Sequence, residues 1–226
     1  MFEVFWGEET NTLDSEGITT NVSKTIPSLK EINKVLHLFI GQIDQIPPKF
    51  SAKKINGKRC YDLARNNEEF ELKPQKVTIF NLRVISHYEN KTSFLVSCGS
   101  GTYVRSLARD LAYALNTFGY ASKILRSRYS HFSKKNTLTM DFLVKNVEKE
   151  NFYKYLLDIR KVLIHIPSIK LEDERIKLIK NGMKVSMLEE FGEVNIKSLI
   201  AQNQSQVLAF GELKSGFFYP KRILNI

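Results

Sequence analysis

An arginine follows a glycine-rich turn in residues 98–112, CGSGTYVRSLARDLA. Apolar residues before the turn, including Phe94 and Val96, indicate a buried strand, and the residues after Tyr103 indicate a helix. Arg105 then lies in the first helical turn, at a loop of the kind that often carries functional side chains. A partly buried guanidinium needs a partner, because an unpaired buried charge is costly. Arg105 is therefore expected to face a carboxylate or a phosphate.

The acidic residues of the chain offer no obvious partner for Arg105. Asp110 follows it by five residues, a spacing at which two side chains do not share a helix face. Asp14, Asp44 and Asp62 lie in or near expected loops, and their neighbours do not indicate an activated carboxylate. The identity of the anion is therefore left open by the residues alone.

Basic residues dominate the charge of the chain, and many of them lie in one segment. The formal net charge is +10 and the isoelectric point is about 9.5. This balance favours a nucleic acid as partner, with an anionic membrane surface second. Cations that follow a phosphate backbone and aromatic rings that stack on bases suit looped RNA. The candidate RNA-binding residues are Lys49, Phe50, Lys53, Lys54, Lys58, Arg59, Tyr61, Arg65, Lys123 and Arg126. The alternative is a solvated, lysine-rich loop without a partner.

Several classes of site are disfavoured by composition and spacing. The two cysteines form no CxxC pair, and the four histidines are scattered without metal-ligand spacing, so neither a zinc site nor a disulfide framework is expected. The GSGTYVR turn lacks the lysine of a phosphate-binding loop. No apolar run is long enough to span a bilayer. We therefore expect a cytoplasmic protein without a metal, and no membrane partner.

The elements that must position Arg105 can be read from periodicity. Residues 2–6 alternate as a strand that has no preceding element to cover it, which suggests that part of the sheet is encoded upstream. Ser28 and Glu31 form a capping box that starts a helix. Residues 75–98 predict two antiparallel strands, residues 103–116 a helix and residues 120–132 a strand. From about residue 166, short strand-like pieces separated by turns predict a β-rich appendage.

Four segments, in order, resemble the bacterial tRNA pseudouridine synthase B family. GEETNTLDSEG is similar to that family's G-x-x-T-D-T-x-D-x-x-G segment, with Asn11 where an aspartate is usual. IDQIPPKFSAKKINGKRCYDLAR is similar to its long I-x-Q-x-P-x-x-[YF]-S-A-x-K signature. CGSGTYVRSLARDLA resembles C-S-K-G-T-Y-I-R-x-x-x-x-D-L-G, and ILRSRYSHF resembles the Y-L-R-R strand. The match covers residues 7–143.

The resemblance implies an α+β fold with a mixed, mainly antiparallel pseudouridine-synthase sheet and flanking helices, here N-terminally incomplete. It divides the chain into a catalytic domain at 1–165, with a thumb-like RNA-binding segment at about 43–73, and a small β-rich PUA-like domain at 166–226. The implied reaction is isomerisation of the T-loop uridine of tRNA (uridine 55), without a metal or organic cofactor and without an obligate protein partner.

The same resemblance implies the roles of three residues. Arg105 matches the arginine that pairs with a catalytic aspartate, Tyr103 a tyrosine placed against the uracil, and Leu125 an apolar pocket residue. The family's aspartate lies in a G-x-x-D-x-x-A-x-G-x-L segment that does not occur in these 226 residues. We therefore expect that the partner of Arg105 is encoded upstream and that this chain alone is inactive. The alternative is a non-catalytic tRNA-binding or tRNA-folding module.

Overall fold

The strand predicted at residues 2–6 lies in the interior of a sheet. The structure is a computed structural model that describes residues 1–148 and 152–224. In it, the chain forms two compact units, residues 1–137 and 138–226. The division falls before the boundary predicted between 165 and 166, and residues 149–151 and 225–226 of the predicted domains lie outside the described residues. The catalytic and PUA-like assignments stay predictions.

The first unit contains strands and helices close to those expected from periodicity. Its strands are β1 Phe2–Trp6, β2 Glu8–Thr10, β3 Thr19–Val22, β4 Gly41–Gln45, β5 Lys54–Ile55, β6 Lys58–Arg59, β7 Gln75–Tyr88, β8 Lys91–Cys98, β9 Gly119–Ile124, β10 Arg128–Tyr129 and β11 Phe132–Ser133. Its helices are α1 Leu29–Val35, α2 Cys60–Arg65 and α3 Val104–Ala114, with 3₁₀ turns at Leu36–Phe39 and Lys134–Asn136.

The main sheet of this unit has the order β4-β7-β8-β1-β9, and each neighbouring pair is antiparallel. β1 therefore pairs on both sides, with β8 and with β9. Phe2, Val4 and Trp6 alternate onto the buried face, as the sequence pattern predicts. α3 packs on this face through Leu107 and Leu111, which are fully buried. The sheet and α3 thus fix the glycine turn that joins β8 to the helix.

Two local predictions differ from the structure. The polar segment GEETNTLDSEG predicts a loop, but its residues 8–10 form β2 and pair with β3, where Asn21 Nδ2 donates to Glu9 Oε1 at 3.1 Å. The strand predicted over 120–132 ends at Ile124, and β10 and β11 form a separate hairpin. The Ser28–Glu31 capping box and the paired strands of residues 75–98 are confirmed.

The second unit builds its own core around a second sheet. Its strands are β12 Ser168–Lys170, β13 Val185–Ser186, β14 Ile196–Gln202, β15 Val207–Lys214 and β16 Phe217–Ile223. Its helices are α4 Met140–Asn146, α5 Ile159–Val162, α6 Asp173–Lys180 and α7 Leu188–Phe191, with a 3₁₀ turn at Phe152–Tyr155. The sheet order is β12-β14-β15-β16-β13, and only the β12–β14 pair within the described residues is parallel. The β-rich character predicted beyond residue 166 is confirmed.

Cys60 and Cys98 are free thiols and do not form a disulfide bond. Cys60 is buried and Cys98 is partly buried. Within residues 1–148 and 152–224, no helix has both the length and the apolar character that crossing a membrane requires.

A buried hydrogen bond of the first core gives a test of the sheet. The Trp6 indole N–H donates to Thr92 Oγ1 at 2.7 Å. Thr92→Val keeps the side-chain shape but removes the partner of both the indole N–H and His87 Nδ1, which lies 2.8 Å from the same oxygen, so we expect a loss of about 1–3 kcal/mol in the free energy of unfolding. Denaturant unfolding followed by the fluorescence of Trp6 measures it. Thr78→Val on β7 is the control, and an equal effect of both substitutions would contradict the assignment.

Candidate functional site

The turn between β8 and α3 carries Arg105, as predicted. Gly101 lies in the left-handed region at φ = +82°, a conformation that glycine adopts without steric cost. The Thr102 hydroxyl donates to the Gly99 carbonyl at 3.0 Å and stabilises the turn. Tyr103 is the N-cap residue of α3, and its side chain makes no capping hydrogen bond. The Arg105 side chain therefore projects from the first turn of α3.

Three hydrogen bonds from two other parts of the chain hold the guanidinium of Arg105. Nη1 donates to Asp14 Oδ2 at 2.7 Å and to the Thr12 carbonyl at 3.0 Å. Nη2 donates to the Phe50 carbonyl at 2.8 Å. The Arg105 and Asp14 side chains are 24% and 23% exposed, so the ion pair is largely removed from water. A guanidinium has five N–H donors, and among the described residues two donors of Arg105 remain without a partner.

Arg105 has an acidic partner within this chain, so the expectation that its partner must be encoded upstream is wrong; a pairing of Arg105 with the family's catalytic aspartate stays a prediction. Asp14 is the partner within the chain, and the loop that carries it is fixed by its own bonds. Thr12 Oγ1 and the Glu16 amide donate to Asp14 Oδ1 at 2.6 and 3.1 Å, which leaves Oδ2 for Arg105. Asp14 also forms a parallel bridge with Ala121 at β9. The signal available in the sequence is the aspartate of the GEETNTLDSEG segment.

The loop around Asp14 tolerates little change in shape. A Cβ on Gly17 would lie 2.2 Å from Thr12 Oγ1 and 2.6 Å from Asn11 Oδ1, so only glycine fits there. Asn11 Oδ1 accepts from the Ile18 amide at 2.9 Å. Asn11, where the resemblance usually has an aspartate, thus closes this loop and does not contact Arg105 through a hydrogen bond among the described residues.

Asp110, whose spacing disfavours it as a partner of Arg105, pairs with its neighbour Arg109 at 2.7 Å. Burial raises the pKa of Asp110, and Arg109 opposes that rise. On the same helix the Tyr113 hydroxyl donates to Glu9 Oε2 at 2.6 Å. Burial, followed by the Glu9 hydrogen bond, raises the pKa of Tyr113 to about 12. The Tyr113–Glu9 hydrogen bond ties α3 to β2, whereas the Asp110–Arg109 pair lies within the helix.

The predicted thumb-like segment at 43–73 forms the hairpin β5–β6 and α2. The Arg59 and Arg65 guanidinium carbons lie 5.7 and 5.5 Å from the Tyr61 ring centroid, and Arg59 donates to the Tyr61 hydroxyl at 2.7 Å. Lys58 pairs with Glu68 at 3.3 Å. A cavity of about 340 Å³ adjoins this aromatic and basic cluster. The residues that line it include Lys54, Lys58, Arg59 and Tyr61.

A second cleft, of about 680 Å³, lies between the loop at Asn11 and the end of α2. Lys49 and Phe50 line it, and the Phe50 carbonyl is the group that accepts from Arg105. The cleft therefore adjoins the site of the ion pair. Its other lining residues are Ala64, Asn67, Glu68, Glu69, Phe70 and Glu71.

The remaining predicted residues lie at or beyond the end of β9. Leu125 is 46% exposed, and its backbone exchanges hydrogen bonds with Met1 at 2.8 and 2.9 Å. Lys123 is exposed and lies 3.7 Å from Glu3 Oε1. The Arg126 guanidinium stacks over the Tyr129 ring at 5.8 Å. The structure thus brings the Phe50 carbonyl to the Arg105 guanidinium, and it places Lys123, Leu125 and Arg126 at or beyond the end of β9, two strands from the strand that leads into the turn.

No cluster of three or more His, Cys, Asp or Glu side chains in residues 1–148 and 152–224 could hold a metal ion.

Comparisons with known proteins confirm the family that the sequence motifs resemble. Residues 1–104 match the model of the TruB family pseudouridylate synthase N-terminal domain. The chain is 34% identical to tRNA pseudouridine synthase B of Caulobacter vibrioides, over all of this chain and 75% of that protein. It is 36% identical to the protein of that name from Ehrlichia ruminantium, over all of this chain and 78% of that protein.

Solved structures show the same fold at low identity. A Cbf5–Nop10–Gar1 complex contains a chain with a TM-score of 0.60 and 18% identity, matched over 95% of this chain and 60% of that one. An H/ACA ribonucleoprotein bound to a substrate RNA containing 2′-deoxyuridine gives a TM-score of 0.64 and 15% identity, over 98% of this chain and 64% of that one. This chain spans about three fifths of the length of those chains. Because the tRNA pseudouridine synthase B relatives are more than 30% identical over the whole of this chain, the chain belongs to the TruB family of pseudouridylate synthases.

Proposed function

We propose that this chain acts in the conversion of the T-loop uridine of tRNA, uridine 55, to pseudouridine, in the cytoplasm. The observation that carries the proposal is a largely buried arginine that an acid holds in place while two of its N–H donors stay available. Membership of the TruB family and the names of the relatives, tRNA pseudouridine synthase B, support the substrate class.

The proposed reaction exchanges one bond to the ribose for another. The N1–C1′ glycosidic bond breaks, the uracil rotates, a C5–C1′ bond forms, the proton on C5 leaves and N1 gains a proton. A base inside a folded loop must first leave its stack. We assign Tyr103 to the face of the uracil, where it assists removal of the C5 proton, and Leu125 to an apolar wall of the pocket.

Asp14 holds Arg105 in this proposal and does not attack the ribose. Oδ1 accepts from Thr12 and Glu16 and Oδ2 accepts from Arg105, so both oxygens are engaged. The two remaining N–H donors of Arg105 suit a second carboxylate, the nucleophile of the family's G-x-x-D segment. That segment does not occur in the 226 residues. A nucleophilic mechanism requires its attacking group.

The absent nucleophile motif favours a second candidate, a non-catalytic module that binds or helps to fold tRNA. Both candidates use the thumb-like segment, in which the Arg59 and Arg65 guanidinium carbons lie 5.7 and 5.5 Å from the Tyr61 ring centroid. Basic residues contact phosphates and aromatic rings stack on unpaired bases. We propose the same partner, the T arm, for Lys123 and Arg126 at the end of β9, and RNA binding for the PUA-like unit.

Release of tritium from uridine labelled at C5 in a T-arm stem-loop separates the two candidates. We expect this chain to bind the RNA without release above a protein-free control, because the nucleophile motif is absent. Robust release would show that these residues carry their own nucleophile. Release that persists in Asp14→Asn would then exclude Asp14 as that nucleophile.

Salt dependence tests the RNA-binding surface. We expect T-arm affinity to fall steeply from low to physiological salt, since the binding of cations to phosphates releases counterions. The double variant Lys54→Ala/Lys58→Ala should weaken binding. It should also lower the slope of the logarithm of the binding constant against the logarithm of salt concentration by about one for each phosphate that is no longer neutralised. Lys30→Ala, an exposed residue on α1, is the matched control. An affinity that does not change with salt would contradict RNA as the partner.

A further inference from the structure

We infer that two glutamines, Gln45 and Gln75, are positioning residues for the turn that carries Tyr103 and Arg105. They are direct register partners on β4 and β7. Residues opposite each other in an antiparallel pair place their side chains on the same face of the sheet. The inference rests on the proposed function, because it assigns these glutamines to the geometry of the same site.

Gln45 holds the turn from the amide side. Its Oε1 accepts from the Tyr103 backbone N–H at 2.8 Å, across 58 residues of sequence. Gln45 is fully buried, so this bond is shielded from water. Tyr103 is the N-cap of α3 and caps nothing with its own side chain. The start of the helix is therefore fixed by a residue from β4.

Gln75 holds the turn from the carbonyl side. Its Nε2 donates to the Gly101 carbonyl at 3.1 Å, and its Oε1 accepts from Lys53 Nζ at 3.2 Å. The two glutamines thus bond to backbone groups on either side of Thr102. Gln75 also links the turn to Lys53, which lies in the thumb-like segment. A contact of RNA with Lys53 would therefore act on the turn through a single side chain.

Packing in the core alone does not account for a glutamine at position 45. Its Nε2 is buried and has no hydrogen-bond partner among the described residues. An unpaired buried donor lowers stability, and a methionine would fill a similar volume without it. What the glutamine adds is the acceptor for Tyr103. The next residue, Ile46, also joins the end of β4 to α3. Its carbonyl accepts from Ser106 Oγ at 2.7 Å and from Arg109 at 3.1 Å.

Neither glutamine touches the proposed reacting atoms, so the test must separate position from stability. The variants are Gln45→Met, Gln75→Met and Gln75→Glu. The last of these keeps the acceptor for Lys53 and removes the donor to the Gly101 carbonyl. Gln42→Met is the matched control, because Gln42 is an exposed residue on the same strand. The readouts are amide hydrogen exchange of residues 99–105 by NMR and the preference for a T-arm stem-loop with uridine over the same RNA with cytidine at that position.

We expect Gln45→Met to raise the exchange rate of the Tyr103 amide about five- to tenfold, the factor that corresponds to the free energy of one hydrogen bond. The uridine preference should fall by a similar factor, while affinity for the cytidine RNA stays within about twofold. Gln75→Glu should also lower the preference, and Gln42→Met should change neither readout. Gln75 is only partly buried, so its variants decide the question if Gln45→Met does not fold.

Two results would overturn the inference. One is an exchange rate at Tyr103 that is the same in Gln45→Met and Gln42→Met. The other is unchanged uridine preference in all of the glutamine variants when the unsubstituted chain has such a preference. If the unsubstituted chain does not distinguish the two RNAs, the T-loop proposal fails, and the exchange rates alone decide whether the glutamines hold the turn.

Discussion

The ion pair between Arg105 and Asp14 is the interaction on which the site depends. Its atoms lie 2.7 Å apart, and both side chains are about three quarters buried. Breaking a buried pair leaves an uncompensated charge, which costs more than the pair itself contributes. The backbone carbonyls of Thr12 and Phe50 complete the cage around the guanidinium. Three distant segments therefore have to fold together before Arg105 can be held with donors free for a ligand.

The main sheet makes this convergence possible. β1 lies between β8 and β9, so the strand that leads into the glycine turn and the strand beside the Asp14 loop are separated by one strand. α3 packs on the buried face of β1 and presents Arg105 from its first turn. β4 and β7 add Gln45 and Gln75 on the far side of the turn. A rigid sheet with functional loops at its strand ends is a common arrangement for sites of this kind.

Local patterns predict the elements of this fold, whereas distant partners become visible only in the folded chain. The alternation of Phe2, Val4 and Trp6, the glycine turn and the capping box each depend on neighbouring residues, and each is confirmed. Asp14 lies in a segment that resembles a family motif, but its pairing with Arg105, 91 positions away, becomes visible only in the folded chain. Gln45 is the glutamine of the I-x-Q-x-P signature, but its contact with Tyr103 could not be predicted from the sequence, because it depends on the position of β4 relative to α3. The catalytic and RNA-binding roles of the predicted residues stay predictions.

A double-mutant cycle on Arg105 and Asp14 tests the central claim, that Asp14 is the acid that holds Arg105. Unfolding free energies would be measured for the unsubstituted chain, Arg105→Met, Asp14→Asn and the double variant. We expect a coupling energy of about 1 kcal/mol or more, because each single variant leaves one charge unpaired and the double variant leaves none. Additive effects of the two substitutions, with no coupling, would contradict it.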